Sequence, residues 1–229
     1  DIEGSLETLA NIHSYVYQQL DDEILWSASM PCVVSGEDSI PVARYGDSNV
    51  ARMKTIYRYG LGHRYGRLMQ AIAGIHYNFS LPDELWEALK EKQNSHLSLQ
   101  DFKSQGYFKL IRNFRRYAWL LLYLLGAAPA VCRSFVASRD HHLSPVGTDS
   151  HSLYQPNATS LRMGDLGYQS QAQSNLDISY NSLEQYIGTL RTALAEPYQS
   201  YADIGLKDEQ GDYNQLNTHV LQIENEFYR

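Results

Sequence analysis

The feature that most limits the possible folds is a long helical pattern that begins near Leu99 and stops at Gly126. Its apolar side chains recur at helical spacing and form one stripe: Ile111, Phe114, Ala118, Leu122 and Leu125. A stripe of this kind needs an apolar surface to cover it. The pattern therefore predicts a helix over Leu99–Leu125 that packs beneath a sheet.

Other periodic segments surround this helix. Helical patterns cover Ser5–Asp21, most of Ser48–Ala73, Asp83–Lys92 and Asn181–Ala195, and strand patterns cover Ile24–Met30, Ala73–Leu81 and His219–Tyr228. Gly60, Gly62 and Gly66 are expected to bend or break the second helix. Residues 138–157 and 162–173 are polar and predict surface loops. Helices and non-adjacent strands in this order favour an α+β fold with an antiparallel sheet.

The composition is that of a folded protein with an acidic surface. The chain has 229 residues, 43% hydrophobic and 20% charged, and no repeat or linker divides it, so we expect one domain or part of one. A net charge of −7 lacks the basic footprint of nucleic-acid binding. The most apolar stretch, Ala118–Val131, is shorter than the ~20 residues of a membrane span. Cys32 and Cys132 lie far apart, which predicts no disulfide framework and a cytoplasmic location.

Tyrosine is unusually frequent, with 18 residues against 6 Phe. A tyrosine ring has an apolar body and a polar tip, which suits the wall of a pocket for small polar molecules. The same residue is common at half-buried sheet positions. Composition alone therefore leaves a polar cleft and an ordinary sheet surface as equal readings.

The segment from Gly74 to Pro82 is the first candidate for a functional surface. Side chains alternate between the faces of a strand, so His76, Asn78 and Ser80 share one face and the opposite face belongs to a core. An imidazole, a carboxamide and a hydroxyl group can hold a metal ion or phosphate oxygens. A polar face in contact with water has the same pattern, so the residues leave both interpretations open.

The final strand pattern repeats this arrangement, with Gln222, Glu224, Glu226 and Tyr228 on one face. Two carboxylates spaced two residues apart on one face repel each other unless a cation or an arginine lies between them. The pattern indicates a possible cation site, and a charged strand face in water is the alternative.

Two further segments place an arginine near tyrosine. Arg58 lies beside Tyr57 near the end of a predicted helix, and Arg162 precedes Tyr168 in a predicted loop. Arginine can hold a carboxylate or a phosphate through two parallel hydrogen bonds. The sequence has no Walker A loop, no GxGxxG after a strand, no HExxH and no paired CxxC. The candidate chemistry therefore depends on the strand faces and on these arginines.

A series of short motifs then runs in order from about Trp26 to Tyr228. They are Ser29-Met-Pro-Cys32, Tyr45-Gly46 with Ser48-Asn49, Lys54-Thr-Ile-Tyr-Arg58, Arg64-Tyr-Gly66, Leu68-Met-Gln70, Gly74-Ile-His-Tyr-Asn-Phe-Ser-Leu-Pro82, Gly106-Tyr-Phe108, Ile111-Arg-Asn113, Ala158-Thr-Ser-Leu-Arg162, Asp165-Leu-Gly-Tyr168, Gln173-Ser-Asn-Leu176 and Val220-Leu-Gln-Ile-Glu-Asn-Glu226. Through these motifs the chain closely resembles the glutamate–cysteine ligases of the proteobacterial type.

The resemblance implies a glutamine-synthetase-like fold of the carboxylate–amine ligases, in which an antiparallel sheet curves into a funnel flanked by helices. It implies that ATP phosphorylates the γ-carboxylate of glutamate and that the cysteine amine attacks the acyl phosphate, the first step of glutathione biosynthesis. Magnesium (or manganese) is the implied cation. Both reactants are anionic near the transferred phosphoryl group, so cations and arginines must offset their repulsion. The implied partners are these small molecules alone, with a cytoplasmic monomer and no nucleic acid or membrane.

The resemblance also assigns roles to individual residues. His76 matches a strand histidine that ligates a metal ion, Arg58 an arginine near the transferred phosphate, and Arg162 one that holds the glutamate carboxylate. The wall of the cysteine pocket is matched by Tyr57, Leu61, Gln70, Tyr168 and Tyr228. Asn78, Glu224 and Glu226 share strand faces with these residues and are placed near the nucleotide or metals.

Several parts of the family pattern have no match in this sequence. The N-terminal acidic strand is absent, as are the next metal-binding glutamate and a later strand with a glutamate and a phosphate-binding arginine. We therefore expect residues 1–229 to be the central part of a single catalytic domain, incomplete at both ends and inactive by itself. The alternatives are a related carboxylate–amine ligase with another amine acceptor and a non-catalytic remnant.

Overall fold

The computed structural model describes residues 2–31, 33–74, 76–126, 128–137, 140–161 and 170–227. The helices are α1 Ile2–Tyr17, α2 Asn49–Tyr65, α3 Asp83–Lys92, α4 Leu99–Leu125, α5 Leu183–Ala195 and α6 Gln199–Ile204. The strands are β1 Ala130–Cys132, β2 Ser144–Val146 and β3 Asp149–Tyr154, and short 3-10 turns include Glu37–Ser39, Arg67–Ala71, Arg133–Phe135, Gln171–Gln173 and Glu224–Glu226. No helix in these described ranges is long and apolar enough to cross a membrane.

The sheet has three antiparallel strands in the order β1-β3-β2. Leu153 at its centre is opposite Val131 of β1 and Pro145 of β2, and Val131 and Leu153 are buried. The α+β class with an antiparallel sheet is therefore confirmed. The loop predicted over 138–157 is wrong for 144–154, because Gly147 adopts φ +56° and lets β2 turn directly into β3.

The three strands predicted from periodicity do not form in the described residues. Residues 24–30 are irregular, and residues 73–74 and 76–81 join no sheet. Residues 219–227 contain one isolated bridge, from His219 to Pro197, and the 3-10 turn Glu224–Glu226. A strand needs a neighbour to satisfy its backbone groups along its length, and the described residues beside these segments supply only scattered main-chain hydrogen bonds, such as Ala73 to Ser29 and Val220 to Glu196.

Helix α4 has the predicted bounds but not the predicted packing. The Ser98 hydroxyl accepts a hydrogen bond from the Asp101 amide at the first turn, and the helix ends before Gly126. The predicted stripe is only partly covered, since Phe114 is 58% exposed and Leu125 is 74% exposed, while Ile111, Ala118 and Leu122 are half-buried. The buried side chains of α4 lie in its first half, at Phe102 and Phe108, where α3 and α5 contact it.

Helix α2 is held at both ends by local sequence signals. The Ser48 hydroxyl accepts a hydrogen bond from the Ala51 amide, and Gly66 ends the helix with φ +88°. The helix continues through Gly60 and Gly62, so only the third glycine breaks it as predicted. This uninterrupted helix carries three of the predicted site residues, Tyr57, Arg58 and Leu61.

Two groups of buried apolar side chains form the core. One joins α5 and α6 to the last described segment and contains Ala172, Ile178, Leu190, Ala193, Tyr201, Val220 and Leu221. The other lies around the sheet and contains Val131, Phe135, Val136, Leu153 and Leu161.

The close packing of α3 on α4 can be tested at Gly106. A Cβ atom there would lie 2.4 Å from the ring of buried Trp86, which packs edge-on against Phe102 and Tyr107. We expect Gly106→Ala to lower the free energy of unfolding by about 1–3 kcal/mol. The matched control is Gly188→Ala in α5, where no neighbouring atom would lie within 4 Å of the added Cβ atom. That change should raise stability by about 0.5–1 kcal/mol. Urea unfolding measures both, and equal effects would contradict the close contact.

Candidate functional site

Four of the predicted site residues meet around the second half of α2. Tyr57 and Arg58 are half-buried, and Leu61 is fully buried. Gln70, in the 3-10 turn that follows α2, donates a hydrogen bond from Nε2 to the carbonyl oxygen of Arg58 at 3.0 Å. The turn is thereby fastened to the helix, and the predicted cysteine-pocket residues of this region are brought together.

His76 and Asn78 lie on an exposed segment that is tethered at its two ends. The Ala73 amide donates to the carbonyl of Ser29 at 2.8 Å, and the Leu81 amide donates to the Tyr107 hydroxyl at 3.0 Å. Both candidate residues are exposed between these tethers. The opposite face was predicted to be a core face, and this is wrong, because Tyr77 and Phe79 are also exposed.

Three predicted site residues cannot be placed. Arg162, Tyr168 and Tyr228 lie outside the described residues. Their roles stay predictions from the sequence.

The predicted pairing of Glu224 and Glu226 on one face is also wrong. They lie in a 3-10 turn, where residues two apart point in different directions, and Glu224 is exposed while Glu226 is fully buried. Within the described ranges, no three His, Cys, Asp or Glu side chains come together as a metal site would require. These residues do not form a complete cation site, and His76 can supply one nitrogen ligand.

A buried ion pair that was not predicted from the sequence joins Arg64 to Glu226. Arg64 Nη1 donates to Glu226 Oε1 at 3.0 Å, and both side chains are fully buried. The same carboxylate accepts hydrogen bonds from the Tyr65 hydroxyl, at 3.0 Å, and from the main-chain amide of Gln222. Three donors therefore compensate the buried negative charge.

The Nε and Nη2 donors of Arg64 are satisfied as well. Its Nε and Nη2 donate to Gln215 Oε1 at 3.1 and 2.9 Å, and Nη2 also donates to the carbonyl of Asn217 at 2.7 Å. The guanidinium plane lies 4.0 Å from the centre of the Tyr201 ring. Arg64 thus joins α2 to α6 and to the segment 215–226.

Gln173 completes this group from another direction. Its Nε2 donates to the Tyr65 hydroxyl at 3.1 Å and to the carbonyl of Glu226 at 2.9 Å. We call Arg64, Tyr65, Gln173, Gln215 and Glu226 the buried polar cluster. It holds α2, and therefore the candidate site on α2, in a fixed position.

The protonation states in the cluster follow from its burial. Burial, together with the nearby Glu226 carboxylate, raises the pKa of Tyr65 well above its ordinary value, so the phenol stays protonated and donates. Burial also raises the pKa of Glu226, while Arg64, the Gln222 amide and Tyr65 oppose that rise. With three donors directed at it, we assign Glu226 as a carboxylate at neutral pH. Its described contacts are internal, and its nucleotide-binding role stays a prediction.

Comparison with known proteins identifies the family of the chain. A family model described as glutamate-cysteine ligase matches residues 1–229. The chain belongs to the glutamate–cysteine ligase family. It is 57% identical to the glutamate–cysteine ligase of Saccharophagus degradans, covering 99% of this chain and 43% of that protein. It is 53% identical to the enzyme of Alcanivorax borkumensis, covering 100% of this chain and 44% of that protein.

Solved structures of related proteins agree with this membership. A glutamate–cysteine ligase from Francisella tularensis in complex with AMP has a TM-score of 0.80 at 40% identity, over 92% of this chain and 40% of that one. A bifunctional glutathione synthetase from Pasteurella multocida has a TM-score of 0.63 at 29% identity, over 93% of this chain and 24% of that one.

The family predicted from the motifs is therefore confirmed, and so is the fold class. The chain spans less than half the length of these glutamate–cysteine ligases. Four of the five residues in the buried polar cluster fall within motifs through which the chain resembles the family, the exception being Gln215. Three of the twelve motifs thus contribute residues to the framework that supports α2.

Proposed function

We propose that this chain forms the central part of a glutamate–cysteine ligase catalytic domain. The reaction joins the γ-carboxyl group of glutamate to the amine of cysteine through γ-glutamyl phosphate, and it consumes ATP and releases ADP and phosphate. One observation carries the proposal, namely the family match over residues 1–229 together with 57% identity to a protein named as this ligase. The AMP in the Francisella tularensis relative supports a nucleotide as co-substrate.

The proposed charge chemistry depends on two arginines. Arg58 offsets the negative charge of the transferred phosphoryl group, and Arg162 holds the glutamate carboxylate, because anions brought together for phosphoryl transfer must be neutralised. The half-buried position of Arg58 and the hydrogen bond from Gln70 to its carbonyl support a fixed location for it.

The proposed cysteine pocket is formed by Tyr57, Leu61, Gln70, Tyr168 and Tyr228. Gln70 is tied to α2, which keeps it near Tyr57 and Leu61. Aromatic walls with polar tips suit a small polar substrate.

His76, Asn78, Glu224 and Glu226 remain candidates for nucleotide or metal contacts. His76, Asn78 and Glu224 are exposed and therefore open to a ligand. A magnesium (or manganese) ion is proposed with His76 as one ligand, and the described residues do not complete its site. We further propose a cytoplasmic monomer that acts on small molecules and has neither nucleic acid nor membrane as a partner.

The test is an assay of ADP release with glutamate, ATP and Mg²⁺, with and without cysteine. It uses the longest polypeptide that the encoding gene specifies, next to the 229-residue chain. We expect cysteine-dependent turnover in the former and none in the latter. His76→Ala should reduce turnover by about 100-fold or more, since a ligand to the metal is lost.

The matched control is His96→Ala, which removes an exposed histidine from the turn between α3 and α4 and should leave turnover unchanged. If turnover required a different amine and did not occur with cysteine, the protein would be a related carboxylate–amine ligase. No turnover with any amine would indicate a non-catalytic remnant.

A further inference from the structure

A second cleft lies along α2, away from the predicted cysteine pocket. It has a volume of about 660 Å³ and lies between α2, the segment that precedes α2 and the turn at residues 208–214. A volume of this size accommodates a small molecule. Three arginines line it, Arg44, Arg52 and Arg67, together with His63.

Helix geometry separates this cleft from the cysteine pocket. Each residue of an α-helix is rotated by about 100° from the one before it. Arg52 and His63 are eleven residues apart and so lie on one face of α2, whereas Leu61, nine residues after Arg52, lies on the opposite face. Leu61 of the proposed cysteine pocket therefore faces away from the cleft, whereas Gln70 of that pocket lies near Arg67 at Gly62.

The arginines of the cleft lack partners in the described part of the chain. The guanidinium groups of Arg44, Arg52 and Arg67 make no ion pair there, and the ion pairs found among described residues are Arg64–Glu226 and Lys103–Asp83. The contact between Arg67 and Glu37 uses the main-chain amide of Arg67, not its side chain. Three arginines thus line one concave surface without an ion-pair partner among the described residues.

Acidic residues are present in the cleft but do not neutralise these arginines directly. Asp47, Asp208 and Asp212 also line it. Asp208 accepts hydrogen bonds from the amides of Gln210 and Asp212 at 2.9 Å, so its carboxylate is used within its own turn. Equal numbers of arginines and aspartates disfavour a long polyanion such as nucleic acid. They favour a small ligand that presents one anionic group to the arginines.

His63 adds a neutral hydrogen-bonding group. Burial of part of the ring, and then the charge of Arg67, lower the pKa of His63 below its ordinary value. The imidazole is therefore uncharged at neutral pH, and it can either donate or accept a hydrogen bond.

We propose that this cleft binds a small molecule through an oxyanion, a phosphate or a carboxylate, held by Arg44, Arg52 and Arg67 with His63 beside it. Guanidinium groups bind both kinds of oxyanion through paired hydrogen bonds. The site is distinct from the proposed ligase site and does not depend on the proposed function.

The test is arginine labelling with phenylglyoxal, read residue by residue by mass spectrometry, on the polypeptide used in the ligase assay. The probes are inorganic phosphate and malonate in separate arms, with ionic strength held constant by NaCl. We expect one of them to slow labelling at Arg44, Arg52 and Arg67 by about fivefold when it fills four fifths of the sites. The arm that protects more strongly identifies the oxyanion. Exposed Arg116 in α4 serves as the internal reference and should not change.

Three variants make the result specific. Arg52→Gln should remove the protection at Arg44 and Arg67, while Arg116→Gln, which removes the same charge from α4, should retain it. Arg52→Lys keeps the positive charge but loses the guanidinium group, so the protection of Arg44 and Arg67 in this variant should be intermediate. Melting curves check that each variant is folded. The proposal is overturned if neither probe protects the cleft, if Arg116 is protected equally, or if Arg52→Gln retains full protection. If the probes protected Arg58 alone from labelling, the result would support anion binding at the proposed ligase site and would contradict binding in the cleft.

Discussion

Glu226→Ala is expected to lower the free energy of unfolding by about 3–5 kcal/mol, because it leaves the buried Arg64 guanidinium without its carboxylate. The Tyr65 hydroxyl and the Gln222 amide lose their acceptor in the same step. Urea unfolding at neutral pH, followed by circular dichroism, measures the change.

The control for this prediction lies two residues away. Glu224 is exposed, and Glu224→Ala removes the same charge from the same turn, so its effect should stay within about 0.5 kcal/mol. Glu226→Gln keeps the side-chain volume and one acceptor oxygen, so its loss of unfolding free energy should lie between those of Glu226→Ala and Glu224→Ala. If the Glu226 and Glu224 variants were equally stable, the buried ion pair would contribute little to the free energy of unfolding.

The second large effect is expected at Leu61, which is 1% exposed. Leu61→Ala should destabilise the protein by about 2–5 kcal/mol, because it leaves a cavity inside α2's packing. An equivalent truncation on the surface, Leu124→Ala in α4, should cost no more than about 0.5 kcal/mol. Thermal and urea unfolding compare the two.

Leu61 also has a proposed place in the cysteine pocket, and a third variant separates that role from packing. Leu61→Met conserves volume and should cost less than about 1.5 kcal/mol. A raised KM for cysteine in this stable variant would place Leu61 against the substrate. An unchanged KM, together with a large loss of stability in Leu61→Ala, would make Leu61 a core residue alone.

Local signals allowed several elements to be predicted from the sequence. Helices α3 and α4 have the predicted bounds, because Pro82 followed by acidic residues marks the start of α3 and Gly126 marks the end of α4. Helix α2 ends at Gly66, where only a positive φ fits the turn. These signals act over a few residues, and so they can be read without knowledge of the rest of the fold.

The strands were not predictable in the same way. Alternation over residues 73–81 and 219–228 predicted strands with two different faces, and this is wrong for the described residues, because pairing depends on a neighbour that periodicity does not specify. The β2–β3 hairpin was missed for the opposite reason, because its short strands lie in a polar segment and its turn depends on Gly147.

The buried polar cluster was missed because its members are distant in sequence. Arg64 and Glu226 each belong to a motif of the family, yet nothing local indicates that they meet. The strand pattern instead placed Glu226 beside Glu224. The motifs correctly predicted the family. The structure shows that some motif residues, among them Arg64 and Glu226, hold α2 in place.

The distance along the chain between Arg64 and its acceptors has a consequence for protein synthesis. Glu226 follows Arg64 by 162 residues, and Gln215 follows it by 151. At about 5–20 residues per second, Arg64 leaves the ribosome roughly 8–32 s before Glu226 does. Throughout that interval α2 can form its own turns, but its guanidinium group must stay hydrated. The nascent chain therefore cannot close the interior around α2 until the residues near Glu226 have been translated.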